Sequence, residues 1–300
     1  MLITSDNSSN VLKMTTDFEA FTLMHPNEWR AFKASLQHVP CLVHVINLAV
    51  LAMLDKGGLG AEPPANVESM DTEVDDDTDG LLCSPISDIN VNGSGKSVAD
   101  TALMKIALKK LRMGIVKIRR SPRIKKFKEL TTTEEHKNGL SPLLDVCTCW
   151  GSTYVMIECA IRCKEAYLSI VLDNNNLNDC LLDEVEWHRL SSLNELLEKY
   201  HNLTTKVCAS KSYITISMTV IIYNNLMGII KTYINNNKAR LPDICHGAQA
   251  AYNKLKQYYA ATDKSPIYSV ATAVHPAMHF QYWDDQEWED KYMRTAKESV

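Results

Sequence analysis

A chain of 300 residues with 45% hydrophobic and 23% charged side chains is long enough to bury a sizeable core in one to three domains, which excludes an intrinsically disordered polymer. The formal net charge of -4 does not by itself point to nucleic acid, but it averages over blocks of opposite sign. Nine cysteines, scattered and without a Cys-x-x-Cys pair, fit a reducing compartment better than a disulfide framework. The N-terminus lacks the basic-then-apolar order of a secretory signal.

Met1, Leu2, Ile3 and Thr4 form a short apolar, β-prone run that leads to Asp6, which predicts a buried strand with an acidic residue at its C-terminal tip. In an open α/β sheet, ligands and chemistry gather at that end. Ser8, Ser9 and Asn10 suit a helix N-terminus, and a helix to about Phe21 is expected to bury Leu12, Thr15 or Thr16, and Phe18. Residues 39–43 predict a second buried strand. Residues 44–54 follow as a helix, apolar at helical spacing through Val45, Leu48, Ala49, Ala52 and Met53. Residues 1–54 therefore read as an α/β segment in the order strand, helix, strand, helix.

Over residues 55–97 the composition changes to Gly, Pro, Asp, Ser and Asn. No basic residue falls between Lys56 and Lys96 while Glu62, Glu68, Asp71, Glu73, Asp75, Asp76, Asp77 and Asp79 accumulate, so this stretch reads as an acidic, disordered linker. Within it, Asn92-Gly93-Ser94-Gly95-Lys96-Ser97 imitates a phosphate-binding loop. The full pattern needs glycine where Asn90 stands and a buried strand in front, so the linker reading wins.

Helical periodicity takes over at Val98, with an apolar stripe through Leu103, Ile106, Ala107, Leu111, Ile115 and Ile118. The other face carries Lys105, Lys109, Lys110, Arg112, Lys117, Arg119, Arg120, Arg123, Lys125, Lys126 and Lys128 with no acid among them, and Pro122 breaks or restarts the helix. Most charge runs are solvated faces. Roughly ten cations over about 25 residues nonetheless suffice to hold a phosphate backbone in a salt-dependent, sequence-independent way. Association with the acidic linker is the rival, and would make the block autoinhibited.

Further along, a helix is expected at 152–171 with Tyr154, Ile157, Ile161, Leu168 and Val171 on one side, and a turn at 174–178. A strongly amphipathic helix follows at 186–200 through Trp187, Leu190, Leu193, Leu197 and Tyr200, with others at 213–235, 242–261 and 284–297. Residues 98–267 thus read as a helical domain. The uncharged run 212–230 is long enough, at about 19 residues, to span a bilayer. Thr215, Ser217, Thr219, Asn224 and Asn225 dilute it, so it reads as a buried core helix and no membrane partner is expected.

Four stretches carry a resemblance. They are Thr4-Ser5-Asp6-Asn7-Ser8-Ser9-Asn10; Cys41-x-x-His44-x-x-Asn47-Leu48; Asp145-Val146-Cys147-Thr148-Cys149-Trp150-Gly151-Ser152-Thr153-Tyr154; and Tyr268-Ser269-Val270-Ala271-Thr272-Ala273-Val274-His275-Pro276. In this order, over almost the whole chain, they resemble the landmarks of hAT-superfamily transposases. That family's core is an RNase H-like domain interrupted by a large helical insertion. The resemblance therefore implies a fold part α/β and mostly α: an incomplete RNase H-like core at 1–54, an all-α insertion at 98–267, and the start of a return to the core at 268–300.

What the resemblance implies chemically is metal-dependent hydrolysis and strand transfer of DNA. A carboxylate triad holds two Mg²⁺ or Mn²⁺ ions, one activating the attacking oxygen and the other stabilising the leaving one. Asp6 corresponds to the second carboxylate, with Cys41 and His44 beside the scissile phosphate. A structural histidine, or half of a zinc site, are the other readings of that pair. Trp150 corresponds to a tryptophan that stacks on an unpaired base, worth ~1–3 kcal/mol. Cys149 and Gly151 replace the family's arginine and asparagine, and Ala277 and His279 stand where basic residues are usual. Lys109, Lys110, Arg112, Lys117, Arg119, Arg120 and Arg123 are the candidate DNA contacts.

The first and third carboxylates of the triad, the C-terminal dimerisation signature and the zinc-finger region are not found between Met1 and Val300. The expectation is an inactive, DNA-binding remnant that does not bind its metals productively and forms a homo-oligomer only if the dimerisation region is supplied. The resemblance implies the nucleus, with the cytoplasm as the default otherwise. The alternatives are a domesticated helical DNA-binding or protein-interaction module, or a non-functional gene fragment.

Overall fold

A computed structural model describes residues 2–6, 8–56, 98–146, 150–209, 216–263 and 265–275. The linker with its glycine-rich loop and the helix expected at 284–297 lie outside the described residues. The described chain is mostly helical with one two-stranded sheet. It divides into two compact units: Met1–Ala52 with Lys199–Ala239 and Ala248–Val300, and Met53–Glu198 with Arg240–Gly247.

In the first unit, β1 (Ile3–Ser5) pairs in parallel with β2 (His38–Pro40), with Ile3 opposite His38, Thr4 opposite Val39 and Ser5 opposite Pro40. Parallel strands need a crossover, supplied here by α1 (Ser9–Met24) and the short α2 (Ala34–Gln37). The buried stripe of α1 is polar. Thr15 and Thr22 are buried, their hydroxyls donating to the Leu12 and Glu19 carbonyls, and the Thr22 oxygen also accepts from the Phe32 amide at 3.0 Å. Leu12 lies off this stripe and is 43% exposed, contrary to the sequence expectation.

The second strand is shorter than the apolar run 39–43 suggests. Pro40 ends it, and the Cys41 amide adds one more rung by donating to the Ser5 carbonyl at 2.7 Å. The Cys41 carbonyl then accepts from Val45, so Leu42 and Val43 already belong to α3 (Leu42–Lys56). Burial of Val45, Ile46, Ala49, Val50 and Met53 follows the helical period. Below the sheet, Val39 packs with Val220 of α9 (Ser217–Asn237) and Tyr268 of α11 (Ile267–Ala273); Tyr259 of α10 (Pro242–Thr262) lies against them. Among the described residues no helix is long and apolar enough to cross a membrane.

The second unit is built on α4 (Val98–Arg119), which turns at Ser121 and Pro122 into α5 (Arg123–Leu130). Its buried stripe runs through Met104, Ala107, Leu108, Leu111, Ile115 and Ile118, while Leu103 and Ile106, expected to be buried, are 40% and 43% exposed. Gly114 lies on the stripe because α7 (Lys164–Leu172) comes so close that a Cβ there would sit 2.0 Å from the Tyr167 hydroxyl oxygen.

The helix expected at 152–171 is two: α6 (Trp150–Arg162) and α7, broken at Cys163, whose backbone leaves helical geometry. The break rotates the buried face, so Ile161 and Leu168 are half-buried while Cys159, Ala166 and Ile170 are buried. A 3₁₀ turn (Asn175–Cys180) precedes α8 (Glu184–Ala209). That helix opens on a reciprocal cap: the Glu186 amide donates to the Asp183 carboxylate at 2.7 Å and the Asp183 amide to the Glu186 carboxylate at 2.9 Å. Trp187, Leu190, Leu193, Leu197 and Tyr200 are buried, as their spacing predicts.

Candidate functional site

Parallel strands that end together bring the residues just after them together too. Asp6 follows β1, Cys41 follows β2, and His44 sits in the first turn of α3. The Asp6 side chain is exposed, and its Oδ1 accepts from the Ser8 hydroxyl at 2.7 Å and the Ser8 amide at 3.0 Å. These two hydrogen bonds, with a smaller contribution from the charge of His44, hold its carboxyl below the usual carboxylate range. Cys41 is a half-buried free thiol among the groups around the buried Tyr223 hydroxyl, which burial pushes far up.

Sequence reasoning missed one pair here. Ser5 Oγ lies 2.8 Å from His38 Nε2, on the opposite face of the sheet from Val39. Burial lowers the pKa of His38, so the imidazole is kept neutral against the hydroxyl. Only the strand register places them side by side, and no local motif carries it. Among the described residues no three His, Cys, Asp or Glu side chains converge into a metal-ligand set. With one oxygen of Asp6 already occupied by Ser8, the described donors do not fit a centre for two divalent ions.

In the second unit, the Asp145 landmark serves a structural purpose. Its carboxylate, 2% exposed, accepts from Arg112 Nη2 at 2.6 Å, from Arg112 Nε at 3.0 Å and from the Thr153 hydroxyl at 2.9 Å. The Val146 amide donates to Ser152 Oγ at 2.8 Å, and that hydroxyl returns a bond to the Val146 carbonyl. The motif thus clamps the start of α6 to α4. Trp150, at 5% exposure, is covered, so an extruded base could stack on it only after the indole is uncovered.

Ten cations of the basic block, Lys109 to Lys128, separate into two sets. Lys110 pairs with Glu186 at 2.7 Å, Arg112 with Asp145, and Lys126 with Asp173 at 2.5 Å. Lys117 donates to the Asn176 carbonyl at 3.2 Å and Arg123 Nε to the Asn174 side chain at 3.0 Å. Counter-groups absent from the local sequence thus arrive from elsewhere in the fold. Lys109, Arg119, Arg120, Lys125 and Lys128 remain exposed and have no ion-pair partner among the described residues.

Comparison with known proteins shows two likenesses. The family model of the ZBED1 RNase-like helical domain matches residues 39–196. A protein of Talaromyces stipitatus, tpeD, provisionally named a transcriptional regulator, is 23% identical over 305 residues, covering 100% of this chain and 30% of the relative. The chain therefore spans less than a third of that relative's length. No solved structure matches significantly.

Proposed function

Because more than half of its residues match, the chain belongs to the ZBED1 RNase-like helical domain family, and we propose that it is the DNA-holding part of a transposase-like protein of the hAT kind. The single observation that carries this reading is the arrangement at the strand tips. Parallel β1 and β2, linked through a helix, deliver Asp6, Cys41 and His44 to one end of a sheet. That is where a doubly wound or RNase H-like sheet places its chemistry. DNA cutting would need further carboxylates to complete a two-ion centre, so the described residues alone do not support it.

A second reading, a DNA-binding or protein-interaction module without cleavage, is favoured by the covered Trp150 and by the commitment of Asp145 to a structural clamp. The name of tpeD as a transcriptional regulator fits it. The first reading, and the second in its DNA-binding form, predict duplex DNA binding and, for this chain alone with Mg²⁺ or Mn²⁺, no nicking. Labelled duplex DNA, followed by anisotropy for binding and by gel for nicking, tests both. Absence of any DNA binding would overturn the proposal. Nicking that disappears in Asp6→Asn would establish a competent active site and overturn the inactive assignment.

A further inference from the structure

We propose that the helical unit holds the DNA backbone through Lys109, Arg119, Arg120, Lys125 and Lys128, while Lys110, Arg112, Lys117 and Arg123 are tied to acceptors within the fold. This rests on the DNA-binding reading above and assigns its surface. The candidate contacts read from sequence mix the two groups, joining Lys110, Arg112, Lys117 and Arg123 to Lys109, Arg119 and Arg120 and leaving out Lys125 and Lys128.

Helix geometry separates Lys109 and Arg120 from the tied cations, while Arg119, on the same flank as Arg112, is set apart by its exposure and lack of an ion pair among the described residues. At about 100° per residue, Lys109 and Arg120 lie within about 20° of each other and opposite the stripe of Met104, Leu111 and Ile118. About 16 Å of helix separates them. Lys110 and Lys117 stand on one flank, turned to Glu186 and the Asn176 carbonyl; Arg112 stands on the other, turned to Asp145. A tied cation would have to leave its acceptor before it could take a phosphate, whereas an exposed one exchanges only solvent and counterions. Arg119, Arg120, Lys125 and Lys128 fall on either side of the Ser121–Pro122 turn, which keeps this charge within a short stretch of chain. The acid on α5, Glu129, is exposed and has no ion-pair partner among the described residues.

The partner is a duplex backbone rather than single-stranded nucleic acid. Binding to single strands relies on exposed aromatic platforms. Helix α4 contains no aromatic residue, and the one aromatic of α5, Phe127, is buried.

The test uses the full chain and a labelled duplex of about 20 base pairs, with affinity measured by anisotropy between about 50 and 200 mM salt. Five phosphate contacts give a slope of log affinity on log salt of about -4.5, which is about a 500-fold loss over that range. Lys125→Gln should shallow the slope by about 0.9. Lys110→Gln, next to Lys109 on α4 but turned to the buried Glu186, should leave it unchanged. Replacing all five exposed cations by Gln should bring the slope close to zero, with circular dichroism showing the helices intact. The proposal falls if that variant keeps the parent slope, if Lys110→Gln matches Lys125→Gln, or if single-stranded RNA binds more tightly than the duplex. If the parent binds no duplex DNA at all, the functional reading itself fails.

Discussion

Gly114→Ala offers a direct test of how the basic helix is held. Alanine is the better helix former, so on α4 in isolation the change should stabilise by ~1 kcal/mol. In the folded unit the new methyl would lie 2.0 Å from the Tyr167 hydroxyl oxygen and 2.8 Å from the ring carbon that carries it. Tyr167 is fully buried, its hydroxyl donates to the Cys180 carbonyl at 2.9 Å, and its ring meets Trp187 edge-on at 5.8 Å. It cannot yield without losing that bond. Overpacking of this kind costs about 1–3 kcal/mol and the lost hydrogen bond about 1 more, giving a net destabilisation of about 2 kcal/mol after the helix gain. At about 2–4 °C per kcal/mol, the thermal midpoint should fall by about 4–8 °C. Urea denaturation of Gly114→Ala, Tyr167→Phe and the double variant measures it. Removing the hydroxyl should recover part of the loss, the ring carbon still being too close. A Gly114→Ala variant as stable as the parent, or more so, would refute the close approach of α4 and α7.

Three further outcomes are expected. Asp145→Asn should destabilise by about 3 kcal/mol in chemical denaturation, because it leaves the largely buried Arg112 without its counter-charge; a change under about 0.5 kcal/mol would show the clamp to be dispensable. His38 has a folded pKa below its ordinary 6.5, so it is the unfolded chain that takes up the proton first as pH falls. Stability should therefore decline from about pH 6.5 downward until the folded imidazole also protonates, and this decline should be smaller in His38→Gln; equal profiles for the two would show that His38 is not shielded. Cys159, whose thiol is held below its ordinary range chiefly by the hydrogen bond from Cys163, should titrate higher in Cys163→Ala, followed by thiolate absorbance against pH. An unchanged titration would show that the pair does not interact.

Much of the helical architecture was legible because a buried helix face repeats locally. The spacing of Trp187, Leu190, Leu193, Leu197 and Tyr200 required no knowledge of what covers them. Mistakes came where a boundary depends on the backbone. Leu42 and Val43 read as strand because they are apolar and β-prone, yet Pro40 and the Cys41 rung had already ended the ladder. Ile161 and Leu168 match one face by spacing, since nothing in the residues around Cys163 announces that the helix breaks there. Leu103 and Ile106 matched the period of α4, but Met104 and Leu108 occupy its buried side. At the strand tips, Asp6, Cys41 and His44 were nameable from their motifs, whereas Ser5 and His38 are 33 positions apart and meet only through strand register.

The amino-acid sequence by itself determined where most of the described helical segments lie, where the acidic and basic blocks fall and that Asp6 follows the first strand, because periodicity, turn chemistry and charge are local properties. Tertiary structure alone decided which cations are available. Asp145, Asp173 and Glu186 lie between 33 and 76 positions from the lysines and arginine they neutralise, and the charge of a side chain is set by its type while its freedom is set by the carboxylates that folding brings within hydrogen-bonding distance.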